Sequence, residues 1–114
     1  SAKFGELAAA NGMDGSAPYV GESYDAAAII ALAIQAGGSA DRKSILSNIS
    51  KVSNAPGIVI NPGQLSYGLQ MLAAGKDIDY QGATDVEFNA FGDAAGAFKE
   101  LEVSGGGFVT IGAL

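Results

Sequence analysis

The stretch "APYVGESYDAAAIIALAIQAGG", residues 17–38, contains the longest apolar segment of the chain. Between residues 26 and 34 there is no polar side chain at all. Ser23 is a typical N-cap residue, and Asp25 follows where the helix dipole favours a negative charge. Gly37-Gly38 supplies a left-handed cap and a turn. The stretch therefore predicts a helix that begins near Ser23 and ends before the glycine pair.

This helix is apolar on every side, which is unusual in a chain of this size. Its large side chains point in several directions, so that one neighbouring element cannot cover them all: Ile29, Ile30, Leu32 and Ile34. A helix that is hydrophobic all round is normally buried inside a larger body. We therefore expect that the 114 residues alone do not supply all of its cover.

Composition excludes several classes of function. The chain has no Cys and no His, which removes disulfides, thiol nucleophiles, zinc sites of the usual kind and imidazole bases. Its net charge of −6 argues against nucleic acid as a partner, because phosphate binding needs a basic surface. The longest apolar run is also far shorter than the ~20 residues that span a bilayer.

Apolar spacing and stop signals predict three more helices, over residues 4–10, 40–53 and 62–74. Residues 4–10 read as the tail of a helix that starts earlier. The second helix has Ser39 as its N-cap and a single packing stripe made of Ile45, Leu46, Ile49 and Val52. The third begins at Asn61-Pro62, in the positions of N-cap and first helical residue.

Short strands are predicted over residues 58–60, 86–88, 97–103 and 108–111. The run Ser104-Gly105-Gly106-Gly107 lies between the last two and predicts a hairpin. Helices precede strands with no βαβ alternation, a pattern typical of an α+β arrangement.

No motif in the chain specifies catalysis or a cofactor. Residues 77–82, "DIDYQG", open like a calcium-binding loop, but position twelve is Phe88 instead of a bidentate Glu. The acidic residues show no paired spacing, and the hydroxyls have no His to activate them. We therefore predict no enzyme, no cofactor and no metal site. Tyr19, at the entry of the apolar helix, fits either packing or a place in a ligand pocket.

Two long segments resemble a known family. Residues 17–52, "APYVGESYDAAAIIALAIQAGGSADRKSILSNISKV", and residues 75–111, "GKDIDYQGATDVEFNAFGDAAGAFKELEVSGGGFVTI", are similar to the closing third of the branched-chain amino-acid binding proteins. These leucine-binding-like, type I periplasmic proteins are the solute receptors of ABC transporters. The turn over residues 89–93 departs from the family's usual acidic form but keeps its length.

The resemblance implies an α/β parent fold of two lobes that close on a ligand about a hinge. This chain would be an α+β C-terminal fragment of it. Residues 1–78 would belong to the first lobe, and residues 79–114 would cross the hinge and add terminal strands to the second. Only Tyr19 matches a position where the family places an aromatic ring against the ligand side chain. Tyr24 and Asp25 would cap and pack the helix.

The function implied is capture of a branched-chain amino acid or similar small carboxylate in the periplasm and its delivery to an ABC permease. The fragment alone would not bind ligand, and its uncovered surfaces would lead it to self-associate or to swap elements. Two alternatives stay open. One is a ligand-sensing domain of the same fold, as in amide sensors or receptor ectodomains, and the other is a small autonomous interaction domain.

Overall fold

The computed structural model describes all residues from 1 to 114, which form four helices and four strands. In chain order the elements are α1 Ala2–Ala10, α2 Val20–Gly37, α3 Arg42–Ser53, β1 Ile58–Ile60, α4 Leu65–Ala73, β2 Ile78–Tyr80, β3 Lys99–Ser104 and β4 Gly107–Ala113. None of these helices has both the length and the apolar character required to cross a membrane.

Strands β1 and β2 form a two-stranded parallel sheet with α4 as the crossover between them. Ile58 pairs with Ile78, and Ile60 pairs with Tyr80. The expectation of no βαβ alternation is therefore wrong. The sequence did not predict β2, because "IDY" is short and carries a carboxylate at its centre, which reads as polar loop. All three residues of β2 are nevertheless buried.

The hydrophobic core surrounds this small sheet. Helix α2 packs against α3 and α4, while α3 also contacts β2 and α4 contacts both strands. Nine buried residues form one continuous cluster: Ala28, Ile29, Leu32, Ala33, Val52, Ile60, Ile78, Tyr80 and Val86. Gly68 allows α4 to approach, because a Cβ there would lie 3.0 Å from Leu32 Cδ2. The apolar helix of the opening stretch thus contributes four of the nine core residues.

Helix α2 ends as predicted but begins earlier. Gly38 has a left-handed conformation with φ 67°, and its N–H donates to Ile34 O at 2.9 Å. Its first residue is Val20 and not the residue after Ser23, so the assignment of Ser23 as N-cap is wrong. The helix is also not covered all round, since Ile30 remains 46% exposed.

Helices α3 and α4 both start later than predicted. Asp41, not Ser39, is the N-cap of α3, and its carboxylate accepts from Lys43 N at 3.2 Å. Helix α4 starts after Gln64, whose Oε1 accepts from Asn61 N at 2.9 Å. The prediction that Leu46 packs on the core is wrong, because its side chain is 73% exposed.

Helix α1 begins at Ala2. Ser1 is its N-cap, and the Ser1 hydroxyl accepts from Phe4 N at 3.2 Å. The predicted helix over residues 4–10 is confirmed, and the extension of this helix before Ser1 stays a prediction. Phe4 and Ala8 are buried against Ala83, which joins α1 to the loop after β2.

The C-terminal hairpin is confirmed, with a tighter turn than expected. Strands β3 and β4 are antiparallel and are joined by Gly105-Gly106, with φ 60° and 79°. These angles fit a primed two-residue turn, in which glycine adopts positive φ without strain. The predicted strand over residues 86–88 is wrong: only an isolated bridge joins Phe88 and Ala94.

The loop before the hairpin is held by a side chain of the helical body. Asn54, the C-cap of α3, donates from Nδ2 to Phe88 O at 2.7 Å and accepts from Phe88 N at 2.9 Å. The boundary predicted between residues 78 and 79 falls within β2, whose residues share the core of the helical body. The division of the chain between two lobes stays a prediction.

Candidate functional site

An open groove of about 800 Å³ lies where α1, the loop after it, the start of α2 and the turn before α4 meet. Ligand pockets commonly range from about 300 to 1,000 Å³. Its lining combines aromatic, aliphatic and small polar residues: Phe4, Leu7, Ala8, Asn11, Met13, Pro18, Tyr19, Val20, Ser23, Tyr24, Gly63, Leu65 and Ser66. We therefore take this groove as the candidate site.

The Tyr24 side chain lines the groove and contacts two of the segments that form it. Its ring lies 5.2 Å from the Phe4 ring, tilted by 49°, within the range favoured by aromatic pairs. Its hydroxyl accepts from Gly63 N at 2.9 Å, which ties the turn before α4 to α2. The role predicted for Tyr24, packing the helix, is confirmed by these contacts, and the ring also contributes a wall of the groove.

Tyr19, the predicted ligand-contacting residue, lines the same groove. It is the N-cap residue of α2 and has φ 65° and ψ 3°, the left-handed region that a bulky residue seldom adopts. Its side chain is 78% exposed and makes no capping hydrogen bond. A non-glycine residue held there costs about 1–2 kcal/mol. The structure thus places an exposed aromatic ring, carried by a strained backbone, at the groove, and its contact with a ligand stays a prediction.

The chemistry of the groove is apolar and uncharged. None of its lining residues is Asp, Glu, Lys or Arg, and the polar side chains that it presents are Asn11, Ser23 and Ser66 besides the two tyrosine hydroxyls. Such a surface can hold a hydrocarbon or aromatic group and orient it by a few hydrogen bonds. It cannot neutralise a carboxylate or an ammonium group.

A buried carboxylate lies on the other side of the start of α2. Asp25 is 3% exposed and accepts four hydrogen bonds. Its Oδ1 accepts from Tyr80 Oη at 2.7 Å and from Ala83 N at 2.8 Å. Its Oδ2 accepts from Thr84 N at 2.9 Å and from Thr84 Oγ1 at 2.6 Å. Burial, together with the bond to Asp25, raises the pKa of Tyr80.

Asp25 therefore binds the loop after β2 to α2, and its prediction as a first-turn helix cap is wrong. Gly82 sits against this cluster with φ 61°, and a Cβ there would collide with Asp25 and with the Tyr80 ring. The four donors fully use the carboxylate, so the cluster is a structural clamp rather than an open binding site. Sequence reasoning missed it because the donors lie 55 to 59 residues from Asp25.

Residues 77–82, which resemble the opening of a calcium-binding loop, include strand β2. Its residues 78–80 form β2, and Asp79 is 7% exposed with Gln81 Nε2 donating to it at 3.3 Å. No group of three or more acidic residues is arranged to hold a metal ion. Two other acidic residues, Glu87 and Asp93, border a smaller and more polar depression in the loop before β3.

Comparison with known proteins gives one relationship. Over 67 residues the chain is 31% identical to the chemotactic signal transduction system substrate-binding protein BasB of Halobacterium salinarum. The match covers 59% of this chain but only 16% of that protein, so the chain spans far less than the length of its relative. No family profile matches the chain, and no solved structure matches it. The relationship is thus to a substrate-binding protein, through a limited segment.

Proposed function

We propose that this chain is part of an extracytoplasmic solute-binding receptor, which captures a small ligand by binding and release without covalent chemistry. The observation that carries the proposal is the similarity to a substrate-binding protein. The groove supports it independently, since it combines a suitable volume with an apolar lining and an exposed, strained Tyr19. Strained backbone at a cleft is typical of sites where function has constrained the conformation.

The ligand we propose is a branched-chain amino acid or a similar small carboxylate. The groove offers the hydrocarbon side chain of such a ligand an apolar surface, with Tyr19 as the contacting ring. The ionic ends need partners that the groove lacks, so in this proposal they bind to a second lobe that closes over the ligand. The 114 residues alone are accordingly expected not to bind the ligand.

The proposed destination of the ligand is an ABC permease in the membrane beside which the receptor works. A second candidate is a chemosensory transducer, because the relative's name assigns it to chemotactic signal transduction. Both require the same location, outside the cytoplasmic membrane, and the same hinge closure. They differ only in which membrane protein recognises the closed form.

The first experiment is a thermal-shift screen of amino acids and small carboxylates on the protein translated from the whole open reading frame. A ligand that binds only the folded state stabilises it by RT ln(1 + L/Kd), where L is the free ligand concentration, so the melting temperature rises with ligand concentration. We expect a shift with a branched-chain amino acid and none with the 114-residue chain. A reading frame of just these 114 residues that gives a folded monomer would refute the proposal and favour an autonomous interaction domain.

Tyr19 is tested in the same protein by the variant Tyr19→Gly. Glycine accepts the left-handed conformation, so the fold should not lose stability, while ligand affinity should fall by about tenfold or more. Tyr67→Ala is the matched control, because Tyr67 is another exposed tyrosine and lies outside the groove. Equal affinity in Tyr19→Gly and the wild type would remove Tyr19 from the site.

The choice between permease and transducer needs an isolated closed form. The ligand-loaded receptor, immobilised with its ligand, should retain the permease from detergent-solubilised membranes in the first case. In the second it should retain the chemosensory transducer and leave the permease in solution.

A further inference from the structure

One of the five asparagines of the chain is followed by a glycine, in the pair Asn11-Gly12. The other four precede alanine, isoleucine or proline: Asn48, Asn54, Asn61 and Asn89. An asparagine side chain deamidates when the backbone nitrogen of the next residue attacks its Cγ. Glycine hinders this attack least, because it has no Cβ. The sequence therefore distinguishes Asn11 from the other asparagines as a site of this reaction.

The structure places Asn11 and Gly12 at the exposed end of α1. A Cβ built on Gly12 would meet no atom within 4 Å, so the space around this residue is open. Two backbone hydrogen bonds close the end of the helix: Gly12 N donates to Ala9 O at 3.1 Å, and Met13 N donates to Ala8 O at 2.9 Å. Exposed helix ends open locally at little cost in free energy. Such opening frees Gly12 N for the attack on Asn11.

The other asparagines are restrained or blocked. The proline after Asn61 has no N–H and cannot attack. Asn54 makes two hydrogen bonds with the Phe88 backbone, and Asn89 Oδ1 accepts from two N–H groups of its own loop. Asn48 lies within α3 and precedes a β-branched isoleucine, which crowds the attacking nitrogen. Local structure thus adds to the difference in sequence.

We propose that Asn11 is a site of spontaneous deamidation, which places a carboxylate on the wall of the groove. Gly12 N attacks Asn11 Cγ and gives up its proton, the Cγ–Nδ2 bond breaks, and ammonia leaves. The product is a cyclic succinimide, which water opens at either carbonyl to give aspartate or isoaspartate. The reaction consumes only water. Because Asn11 lines the groove and no other lining residue is charged, the product changes the groove from uncharged to anionic.

The new carboxylate also weakens the end of α1. In the amide form Asn11 Nδ2 donates to Leu7 O at 2.9 Å. A carboxylate has no proton to donate, so it faces this carbonyl oxygen without a hydrogen bond. Its charge also lies at the negative end of the helix dipole. Both changes favour opening of the last turn of α1, which is one wall of the groove.

Peptide mapping by mass spectrometry tests the site on the 114-residue chain. The folded chain is incubated at mildly alkaline pH, and all five asparagines are compared in each digest. We expect Asn11 to lose its side-chain amide first, with both aspartate and isoaspartate as products. A synthetic peptide of residues 7–16 gives the rate without the fold. An Asn11 that stays intact while the peptide converts completely would overturn the proposal, and so would faster loss at any other asparagine.

The variant Asn11→Asp tests the effect of the charge on α1. Hydrogen exchange at the Gly12 and Met13 amides should be faster than in the wild type, because these amides close the end of the helix. Asn89→Asp is the matched control, since it adds the same charge outside the groove and should leave exchange at these amides unchanged. Equal exchange in Asn11→Asp and the wild type would contradict the proposed weakening of α1.

Discussion

At the residue scale, Asp25 and Tyr19 show opposite relations between sequence and structure. Asp25 looked like an ordinary first-turn acid, yet its carboxylate organises a loop 58 residues away through Ala83 N. No local pattern encodes that contact, because the partners meet only when β2 is in place. Tyr19 was predicted to contact the ligand because of the family resemblance. Its left-handed φ of 65° could not have been predicted from residue propensities.

We expect Asp25→Asn to destabilise the fold by about 2–4 kcal/mol. The amide keeps one acceptor oxygen, but its NH₂ group faces N–H and O–H donors that then have no acceptor. Hydrogen bonds to charged groups contribute about 1.5–3 kcal/mol each. Urea denaturation followed by circular dichroism measures the loss. Asp77→Asn is the control, since Asp77 is exposed, and should change the free energy of unfolding by less than about 0.5 kcal/mol.

The raised pKa of Tyr80 predicts a loss of stability in alkali. Burial and the bond to Asp25 favour the neutral phenol in the folded state, whereas the unfolded tyrosine has a pKa of about 10. The stabilisation is therefore complete below pH 10 and declines as the pH rises above it. Comparing the free energy of unfolding of the wild type and Tyr80→Phe from pH 8 to 11.5 isolates this effect.

The variant should be less stable at pH 8, because Asp25 loses a donor, and the difference should shrink above pH 10. A difference that stays constant up to pH 11.5 would show that Tyr80 does not titrate with unfolding.

At the element scale, sequence reasoning succeeded where one stretch of chain determines the outcome. The end of α2 at Gly38 and the β3–β4 hairpin follow from local glycine chemistry and were predicted. Strand β2 was missed, because three residues with a central Asp79 carry no recognisable period. It is a strand only because α3, α4 and β1 bury it. Together with β1 and α4 it forms a βαβ unit, which the α+β prediction did not include.

Helix α3 also shows why a stripe read from sequence is incomplete. Ile45, Ile49 and Val52 pack on the core, but Leu46 turns to solvent. Spacing alone cannot fix the width of the buried face, which depends on how closely α2 and β2 approach α3. The groove was likewise beyond prediction, because four separate segments build it.

The variants Leu32→Ala and Leu46→Ala compare a buried leucine with an exposed one. Leu32, on α2, is fully buried in the core cluster, so we expect its truncation to cost about 2–5 kcal/mol through lost contacts and a cavity. Leu46 is 73% exposed, and its truncation should stay within about 0.5 kcal/mol. A large loss for Leu46→Ala would mean that a further surface covers that face of α3 in solution.

At the scale of the whole molecule, the helical body has a buried core, whereas the C-terminal hairpin is almost entirely exposed. The core cluster ends at Val86 and the hairpin residues are almost all exposed. The groove likewise presents only one uncharged wall to a ligand. Both observations support the proposal that this chain is one part of a larger receptor, in which other residues supply the ionic contacts and the closing lobe.

The proposed function depends on hinge closure, which small-angle X-ray scattering measures in solution. The protein translated from the whole open reading frame is measured without ligand and at saturating concentration of the amino acid found by thermal shift. We expect the radius of gyration to fall on ligand addition, because in the proposed receptor two lobes close over the groove that contains Tyr19. An unchanged radius of gyration at saturation would contradict it.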